Sequence, residues 1–489
     1  MTAASDESAP HDERDAYASI AAAFDALAAR EARRGRLSRG YHELVELVHR
    51  ATVPPGASVL ELGAGEGDLL AALAPSDGVG VDVSPVMVAQ ARARHPGLRF
   101  EQGTGESVSV GRSFDYILLS DLVPFVDDLL ELFRNVRRHA DRDTRVVIHS
   151  YSQLWRPALR LLEFLGLKSW TPVRNWVTQH DVEHMLELTG LEVVTMNRRI
   201  LLPLRIPVLS TFFNGVLANL WILRHLCLTF WIVARPSAEA ERRALSVSIV
   251  DPARDEAGMI ERIVAETPEI GTACELIFVE GHSSDRTREE ILAQIERHPE
   301  RTIRYLEQSG DGKGDAVRLG FASARNDVLM ILDADLTVRP AELSSFLEAI
   351  ETGRAEFANG SRLVYGLSPG AMPYLNLIGN KAFSLVFSAL LDQRVKDTLC
   401  GTKVLERRRY EQIAAGRSYF GDFDPFGDFD LLLGATRLNL KVIDLPIRYH
   451  ARTYGETKIS RFRHGWLLAR MAVFAFWKLK VEIFRAPLP

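Results

Sequence analysis

The sequence is poor in cysteine, in excess positive charge and in long uninterrupted apolar runs. Only three of its 489 residues are cysteines, and Cys227, Cys274 and Cys400 are too far apart for metal-ligand or redox spacing. This scarcity predicts a reducing compartment, which we take to be the cytoplasm. Lys and Arg number 59 against 64 Asp and Glu, a net charge of -5, so the charge balance gives no indication of nucleic-acid binding.

Two segments approach the length of a membrane span without having its composition. Residues 206–223 carry no charge but include proline, serine, threonine and asparagine. We predict an inserted helix there that covers a site or lies on a membrane. Residues 464–485 are interrupted by Arg470, Lys478 and Lys480, which favours an amphipathic interfacial helix over a span. Packing of this second segment against the protein's own core is the alternative.

The chain contains two strand–turn–helix openings, each of which starts an alternating α/β pattern. They lie at residues 58–73 and 246–265, and the polar stretch "RPSAEAERRAL" separates them as a linker would. The polar, acidic first residues predict disorder and do not have the pattern of a signal peptide. We therefore predict a disordered tail over 1–14, α/β domains over 15–235 and 246–463, a linker over 236–245 and a C-terminal helix over 464–489.

The first opening, "ASVLELGAGEGDLLAAL" (57–73), is a strand, a glycine-rich turn and a helix. Gly63, Gly65 and Gly67 permit a tight turn and let a ligand approach the backbone. Asp82 ends the next strand, where an acid suits the two hydroxyl groups of a ribose. These features predict a nucleoside-binding α/β domain.

This half resembles the class I S-adenosylmethionine-dependent methyltransferases over about residues 15–235. The resemblance implies a Rossmann-like fold in which Glu61 to Gly67 form the cofactor loop, Asp82 binds the ribose and Glu106 lies near the adenine. A dinucleotide oxidoreductase is the alternative, and the Gly-x-Gly-x-Gly spacing argues against it. Three side chains are candidate general bases, each with a structural role as the alternative: Asp121, His149 and His180.

In the second half, two carboxylates follow an apolar run. Residues 328–332 are apolar, and Asp333 and Asp335 come next, one residue apart. The run resembles a buried strand and has no helical stripe. Asp-x-Asp at the carboxyl end of such a strand suits a divalent cation that binds phosphates. A solvated turn that caps the next helix is the alternative interpretation.

Three further motifs accompany this pair: "VSIVDPARDEAGMI" (247–260), "CELIFVEGHSSDRT" (274–287) and "GDGKGDAVRLGFASA" (310–324). In this order they resemble family 2 glycosyltransferases of the glycosyltransferase-A fold, especially those that make polyprenyl-phosphate sugars, over about residues 246–465. The resemblance implies that Asp333 and Asp335 hold Mg²⁺ or Mn²⁺ on the diphosphate of a UDP- or GDP-linked sugar. It implies these nucleotide-sugar-binding residues: Pro252, Glu256, Glu280, Asp285, which belongs to the supporting turn, and Asp333.

The same resemblance assigns an acceptor side. Asp397 belongs to the acceptor-side segment, and Asp428 and Asp430 begin an acidic helix as the candidate bases for a hydroxyl acceptor. Arg452 and Lys458 are implied to hold phosphates, for which a guanidinium fork and a point charge are suited. A basic surface loop is the alternative for this last pair.

Three residues depart from the family pattern. Asp251 stands where an aliphatic residue is usual, and Asp255 and His282 stand where Asn is usual. Asp in place of Asn at position 255 adds charge near the nucleotide and is expected to weaken binding. His282 is expected either to contact the ribose or to have no role.

The resemblances together imply a bifunctional enzyme. Its reactions are metal-dependent inverting transfer of a sugar to a polyprenyl-phosphate or glycan acceptor, and methyl transfer from S-adenosylmethionine. One alternative is a glycosyltransferase with a non-catalytic methyltransferase-like scaffold. The other is a non-enzymatic nucleotide sensor, against which the Asp333/Asp335 pair argues. We expect a cytoplasmic protein with peripheral contact to the cytoplasmic membrane face.

Overall fold

The chain folds into two compact units, here described separately from a computed structural model. Unit 1 comprises Met1–Ser237 and Lys478–Pro489, and unit 2 comprises Ala238–Trp477. The structure describes residues 17–26, 36–165, 173–175, 177–238, 242–365, 374–419, 428–450 and 461–485. The sequence predicted residues 464–489 as one C-terminal helix, whereas the structure divides this stretch between the two units.

Unit 1 is built on a seven-stranded sheet with the order β3-β2-β1-β4-β5-β7-β6. Strands β1 to β5 run parallel, and β7 is antiparallel to both β5 and β6. The strands are β1 (Ser58–Leu62), β2 (Asp77–Asp82), β3 (Arg99–Gln102), β4 (Tyr116–Ser120), β5 (Arg145–Tyr151), β6 (Leu191–Arg199) and β7 (Thr229–Pro236). The helices are α1 (17–26), α2 (Arg36–Thr52), α3 (Asp68–Ala72), α4 (Pro85–Arg94), α5 (Leu129–Arg138), α6 (Arg156–Phe164) and α7 (Gln179–Leu188).

Helices cover both faces of this sheet, which explains why its central strands are almost wholly apolar. Leu60 and Leu62 of β1 pack into the core on one face, and Val59 packs into the core on the other. The carboxyl ends of β1 and β4 lie next to each other, so the loops after them share one edge of the sheet.

The uncharged stretch at 206–223 is not the single helix that its composition predicted. It forms short irregular pieces instead: a π-helical turn at Thr211–Val216 and 3₁₀ turns at Leu217–Asn219 and Leu223–Leu226. Among the described residues, no helix is both long enough and apolar enough to cross a membrane.

Residues 478–485 complete unit 1 although they follow unit 2 in the chain. Phe484 lies in the same apolar core as Tyr41 and Leu44 of α2. Thr211 Oγ1 donates to the Phe484 carbonyl at 3.0 Å, and a Cβ on Gly215 would lie 2.9 Å from Val481 Cα. The alternative of core packing therefore applies to this part of the predicted C-terminal helix.

Unit 2 contains a mixed seven-stranded sheet with the order β10-β9-β8-β11-β13-β12-β14. Strands β8 to β11 are parallel, and β13 runs antiparallel between β11 and β12. The strands are β8 (Val247–Ala253), β9 (Cys274–Glu280), β10 (Thr302–Glu307), β11 (Val328–Ile331), β12 (Phe357–Ser361), β13 (Lys403–Glu406) and β14 (Val442–Pro446). The helices are α8 (Ile260–Glu266), α9 (Thr287–Arg297), α10 (Lys313–Ser323), α11 (Leu343–Glu351), α12 (Tyr374–Leu391), α13 (Arg407–Ala415), α14 (Asp428–Arg437) and α15 (Arg461–Phe476).

Candidate functional site

The loop after β1 has the backbone that its glycines predicted. Gly63, Gly65 and Gly67 have φ values of 77°, 53° and 79°, which side chains rarely adopt. A Cβ on Gly67 would lie 2.5 Å from Phe100 Cζ, and one on Gly63 would lie 2.9 Å from Leu122 Cδ1. A Cβ on Gly65 would meet nothing within 4 Å, so the space beside this residue is open to a ligand.

Asp82 fixes this loop to the end of β2. One carboxylate oxygen accepts a hydrogen bond from the Gly65 amide at 2.8 Å, and the other accepts one from the Ser84 amide at 2.9 Å. Burial raises the pKa of Asp82. The structure thus brings Asp82 to the glycine loop, as the sequence predicted for a ribose-binding acid.

Glu61 lies buried at the end of β1. Its Oε2 has no hydrogen-bond partner within the described part of the chain, and burial raises its pKa to about 8. A buried carboxyl oxygen without a partner is costly, and a cationic ligand group would satisfy it. The residues around the glycine loop therefore fit S-adenosylmethionine, which carries an ammonium and a sulfonium group.

We predict that the ligand-free Glu61→Gln variant is more stable than the ligand-free wild type at high pH. The folded pKa of about 8 lies above the ordinary value of 4.5, so the wild type loses stability between these two pH values as the unfolded state ionises first. The amide has no such dependence. In thermal melts, the Tm of the variant should exceed that of the wild type at pH 8 but not at pH 5. The control is Glu101→Gln, which removes a different carboxyl group from the same unit. Equal advantages at both values would contradict the assignment.

Helix α1 lies against the rim of the same loop region. The Tyr17 hydroxyl donates to Glu106, whose carboxylate also accepts from the Asp127 amide at 3.1 Å. The Phe24 ring meets Phe125 edge-on at 5.2 Å, and Asp25 accepts from the Ser84 hydroxyl. Sequence reasoning did not identify these α1 contacts, because nothing local in the polar N-terminal segment marks them.

A polar network lies at the carboxyl ends of β4 and β5. The Tyr41 hydroxyl donates to Asp121 Oδ2 at 3.0 Å and lies 3.1 Å from His149 Nε2. His149 is fully buried, which lowers its pKa well below the usual value, and burial raises the pKa of Tyr41 well above 10. Both therefore stay neutral at pH 7, and the Asp121 side chain, 23% exposed, connects the network to solvent.

Of the three candidate bases, two belong to this network and one does not. Asp121 is next to Leu122, which packs on Gly63, so the network borders the cofactor loop. Asp121 also has a positive φ of 54°, a strained conformation often found at functional positions. His180 lies instead on the exposed start of α7, where it pairs with Glu183 at 3.0 Å.

In unit 2, the turns after β8 and β9 interlock through the predicted nucleotide-binding acids. Glu280 accepts from the Ser283 amide at 2.5 Å, and Asp285 accepts from the Ala257 and Thr287 amides at 3.2 and 3.0 Å. The Glu256 amide donates to Thr287 Oγ1 at 2.9 Å. Pro252 precedes Ala253, which pairs with Glu280 on the neighbouring parallel strand. These residues therefore lie together at the carboxyl ends of β8 and β9.

Backbone conformation accounts for two of the three departures from the family pattern. Asp255 and His282 have φ values of 55° and 56°. Asn, Asp and His are the residues other than glycine that most often occupy this region. Asp255 also accepts from the Ser284 amide at 2.7 Å, which joins the two turns. Both residues thus fulfil the backbone requirement that Asn would.

The third departure, Asp251, is buried in the core beneath the acidic pair. Neither of its carboxyl oxygens has a hydrogen-bond partner within the described residues. Burial, followed by the nearby charges of Asp333 and Glu256, raises its pKa well above the usual value. Its surroundings therefore favour the protonated, uncharged form of Asp251.

The Asp333/Asp335 pair stands directly after β11, as predicted. Lys313, the first residue of α10, forms an ion pair with Asp333 at 2.6 Å. Burial alone would raise the pKa of Asp333, but Lys313 holds it below the usual value. Asp335 Oδ1 accepts from the Thr337 amide at 3.1 Å and from its hydroxyl at 2.8 Å. Two carboxylates at a strand end fit the mode in which Mg²⁺ is held by one or two side chains and substrate phosphates.

The predicted acceptor-side residues have different outcomes. Asp397 is fully buried and its carboxylate is engaged in a two-pronged ion pair with Arg362, at 2.7 and 2.9 Å. Asp430 accepts from Arg417 Nε at 2.7 Å. Asp428 begins α14, but its side chain lies outside the described residues, as do Arg452 and Lys458 entirely.

Comparison with known proteins agrees with this division. Residues 29–196 match the family model described as a methyltransferase domain, and residues 248–412 match that of glycosyl transferase family 2. The dolichol-phosphate mannosyltransferase of Pyrococcus furiosus is 28% identical over 222 residues, 44% of this chain and 60% of that protein. Glycosyltransferase AglD of Haloferax volcanii is 28% identical over 254 residues, 51% of this chain and 39% of that protein.

This chain spans about half the length of the curated relatives that it matches. Among solved structures, glucosyl-3-phosphoglycerate synthase from Mycobacterium tuberculosis has 18% identity and a TM-score of 0.36, covering 49% of this chain and 81% of that chain. The two family matches show that this chain carries a methyltransferase domain followed by a family 2 glycosyltransferase domain.

Proposed function

We propose that this protein transfers a sugar from a UDP- or GDP-linked donor to a polyprenyl-phosphate or glycan acceptor. The observation that carries this is the placement of Glu280, Asp285, Asp333 and Asp335 at the carboxyl ends of parallel strands, with Lys313 beside them. A dolichol-phosphate mannosyltransferase among the relatives supports a lipid-phosphate acceptor.

In the proposed mechanism, Asp333 and Asp335 would hold Mg²⁺ or Mn²⁺. The bound cation would neutralise charge on the departing diphosphate. Lys313 adds a positive charge at the same place, and Arg452 and Lys458 are proposed to bind phosphate oxygens. A phosphate acceptor is already ionised and needs no strong base. For a hydroxyl acceptor, we propose Asp428 or Asp430 as the base.

We also propose that unit 1 binds S-adenosylmethionine and directs methyl transfer. The residues that would hold the cofactor are Glu61, Asp82, Glu106 and the loop from Gly63 to Gly67. The bound cofactor supplies an electrophilic methyl group. Asp121, oriented by Tyr41 and His149, is proposed to bind the acceptor and to accept its proton where the acceptor is a hydroxyl group.

Thermal stabilisation by ligands tests both halves. We expect the Tm to rise with either UDP or GDP in the presence of Mn²⁺, and to rise with S-adenosylhomocysteine without metal, because ligands that bind only the folded state stabilise it. At a free ligand concentration one hundred times Kd, binding raises the free energy of unfolding by about 2.7 kcal/mol.

The variants Asp335→Ala and Asp82→Ala serve as matched controls, and each should lose only its own shift. No nucleotide shift would count against the glycosyltransferase proposal. No S-adenosylhomocysteine shift would favour the alternative in which unit 1 is a scaffold.

The proposed location is the cytoplasmic face of a membrane, with peripheral contact through unit 2. Leu468 and Met471 of α15 are buried, whereas Trp466, Arg470 and Val473 are exposed. The outward face of this helix therefore combines large apolar side chains with a basic one. Tyr374 and Leu385 of α12, which packs on α15, are also exposed. Apolar and aromatic side chains in this arrangement suit an interfacial position.

A further inference from the structure

The stretch from Ile206 to Leu226 in unit 1, here called the insert, buries two of its polar side chains and exposes most of its large apolar ones. Its buried members include Ser210 and Asn214, whereas Val208, Trp221 and Ile222 are 82%, 79% and 72% exposed. Five more apolar side chains of the insert are exposed: Ile206, Leu209, Phe212, Leu220 and Leu226. This is the reverse of the distribution that water favours.

The buried polar groups hold this conformation in place. Asn214 Oδ1 accepts from the amides of Leu201 and Leu202, both at 2.8 Å, and its Nδ2 donates to the Leu202 carbonyl at 3.0 Å. Ser210 Oγ accepts from the Ile206 amide at 2.6 Å. The exposure of the apolar side chains is therefore specified by satisfied hydrogen bonds, and collapse onto unit 1 would break them.

The chain segment around the insert is basic. Residues 193–238 contain no Asp or Glu but five arginines, at positions 198, 199, 205, 224 and 235. Two of these arginines are paired with acids outside the segment, Arg205 with Glu43 and Arg235 with Glu192. Arg198 is held by neutral partners, Gln179 Oε1 at 2.9 Å and the His225 carbonyl at 3.4 Å, so its charge remains. Arg224 lies within the insert, between the exposed Ile222 and Leu226. An apolar surface with arginines beside it is complementary to an anionic lipid bilayer, which is apolar inside and negatively charged at its surface.

We propose that the insert is a docking surface by which unit 1 binds an anionic lipid bilayer. Its short turns lie in the interface rather than across it, with Trp221 at headgroup level and the aliphatic side chains below. This surface belongs to unit 1, whereas α15 belongs to unit 2, and the inference depends on neither transfer reaction.

Arg205, the residue just before the insert, contacts the helix that carries Tyr41 of the candidate methyl-acceptor network. A Cβ on Gly40, next to Tyr41 in α2, would lie 3.0 Å from the Arg205 amide nitrogen. Arg205 Nη1 pairs with Glu43 of the same helix at 3.3 Å. Membrane docking through the insert consequently brings the acceptor end of unit 1 near lipid, where a lipid-linked acceptor resides.

Flotation of the full-length protein with vesicles tests the proposal. Vesicles of phosphatidylcholine with 30% phosphatidylglycerol, about a third anionic lipid, should carry the wild type upward, and pure phosphatidylcholine should bind it more weakly. We expect the double variant Trp221→Ser/Ile222→Ser to bind the anionic vesicles about tenfold or more weakly, because two large apolar contacts are lost. Arg224→Gln should lower binding to anionic vesicles only.

The matched control is Leu188→Ser, which removes an equally exposed apolar side chain, 76% exposed, from α7 of the same unit. Trp466→Ser tests the face of α15. Wild-type protein that stays at the bottom of the gradient overturns the proposal, as does undiminished binding by the double variant. Sedimentation velocity adds a third outcome: a dimer that the double variant converts to monomer would assign the insert to a second copy of this chain and overturn the lipid assignment.

Discussion

Asp335→Ala is expected to lower the rate of sugar transfer about a thousandfold or more. A metal ion that polarises a departing diphosphate contributes several kcal/mol to transition-state stabilisation, and each 1.36 kcal/mol is a factor of ten in rate. The rate is to be measured as transfer from the nucleotide sugar selected by the melting experiment to a polyprenyl phosphate in detergent.

Two variants separate the loss of a metal ligand from damage to the turn. Asp335→Asn retains an oxygen for the Thr337 amide and hydroxyl but loses the charge, so we expect it to fold normally and to remain severely impaired. Asp311→Ala removes an exposed acid from the neighbouring loop and should be fully active. Full activity of Asp335→Ala would refute the assignment of this residue as a metal ligand.

Asp397→Ala is expected to destabilise unit 2 by about 3–5 kcal/mol, because it leaves the Arg362 guanidinium buried without its counter-charge. Asp397 accepts hydrogen bonds from the Arg362 amide and side chain and from Asn380 Nδ2, at 2.7 to 3.0 Å. The ion pair lowers the pKa of Asp397 below its usual value against the effect of burial. The loss of stability is to be measured from the urea concentration at the midpoint of unfolding.

The exposed Glu411→Ala in α13 is the control and should retain the wild-type midpoint. Asp397→Asn keeps the shape of the side chain, and its urea midpoint should lie between those of the wild type and Asp397→Ala. A wild-type midpoint for Asp397→Ala would mean that Arg362 finds another partner or reaches solvent, and Asp397 would return as a candidate acceptor residue.

Local patterns predicted the parts of each site that depend on one strand and its following turn. Asp333 and Asp335 after β11, and the three glycines after β1, follow from the rule that parallel strands end at one ligand-binding edge. The α/β class of both halves was predicted correctly for the same reason, since buried parallel strands have recognisable apolar runs.

Contacts between distant residues could not be predicted in this way. Tyr41 meets His149 across 108 positions of sequence, and no local signal marks Tyr41 in an amphipathic helix. The ion pair between Asp397 and Arg362 likewise joins residues 35 positions apart, and the sequence does not reveal it. The insert was predicted as a helix because its composition is apolar, and composition does not show which side chains point outward.

The contribution of residues 478–485 to the core of unit 1 has a consequence for biosynthesis. Chains fold from the N-terminus as they are made, but this segment leaves the ribosome only after all of unit 2 has been translated. Until then the positions beside Tyr41 and Leu44 that Phe484 occupies in the finished core are unfilled, and the apolar side chains around them remain accessible to water. Translation that stops within unit 2 would yield an unfinished unit 1, a substrate for chaperones and proteases, so the methyltransferase half matures only when the glycosyltransferase half has been made.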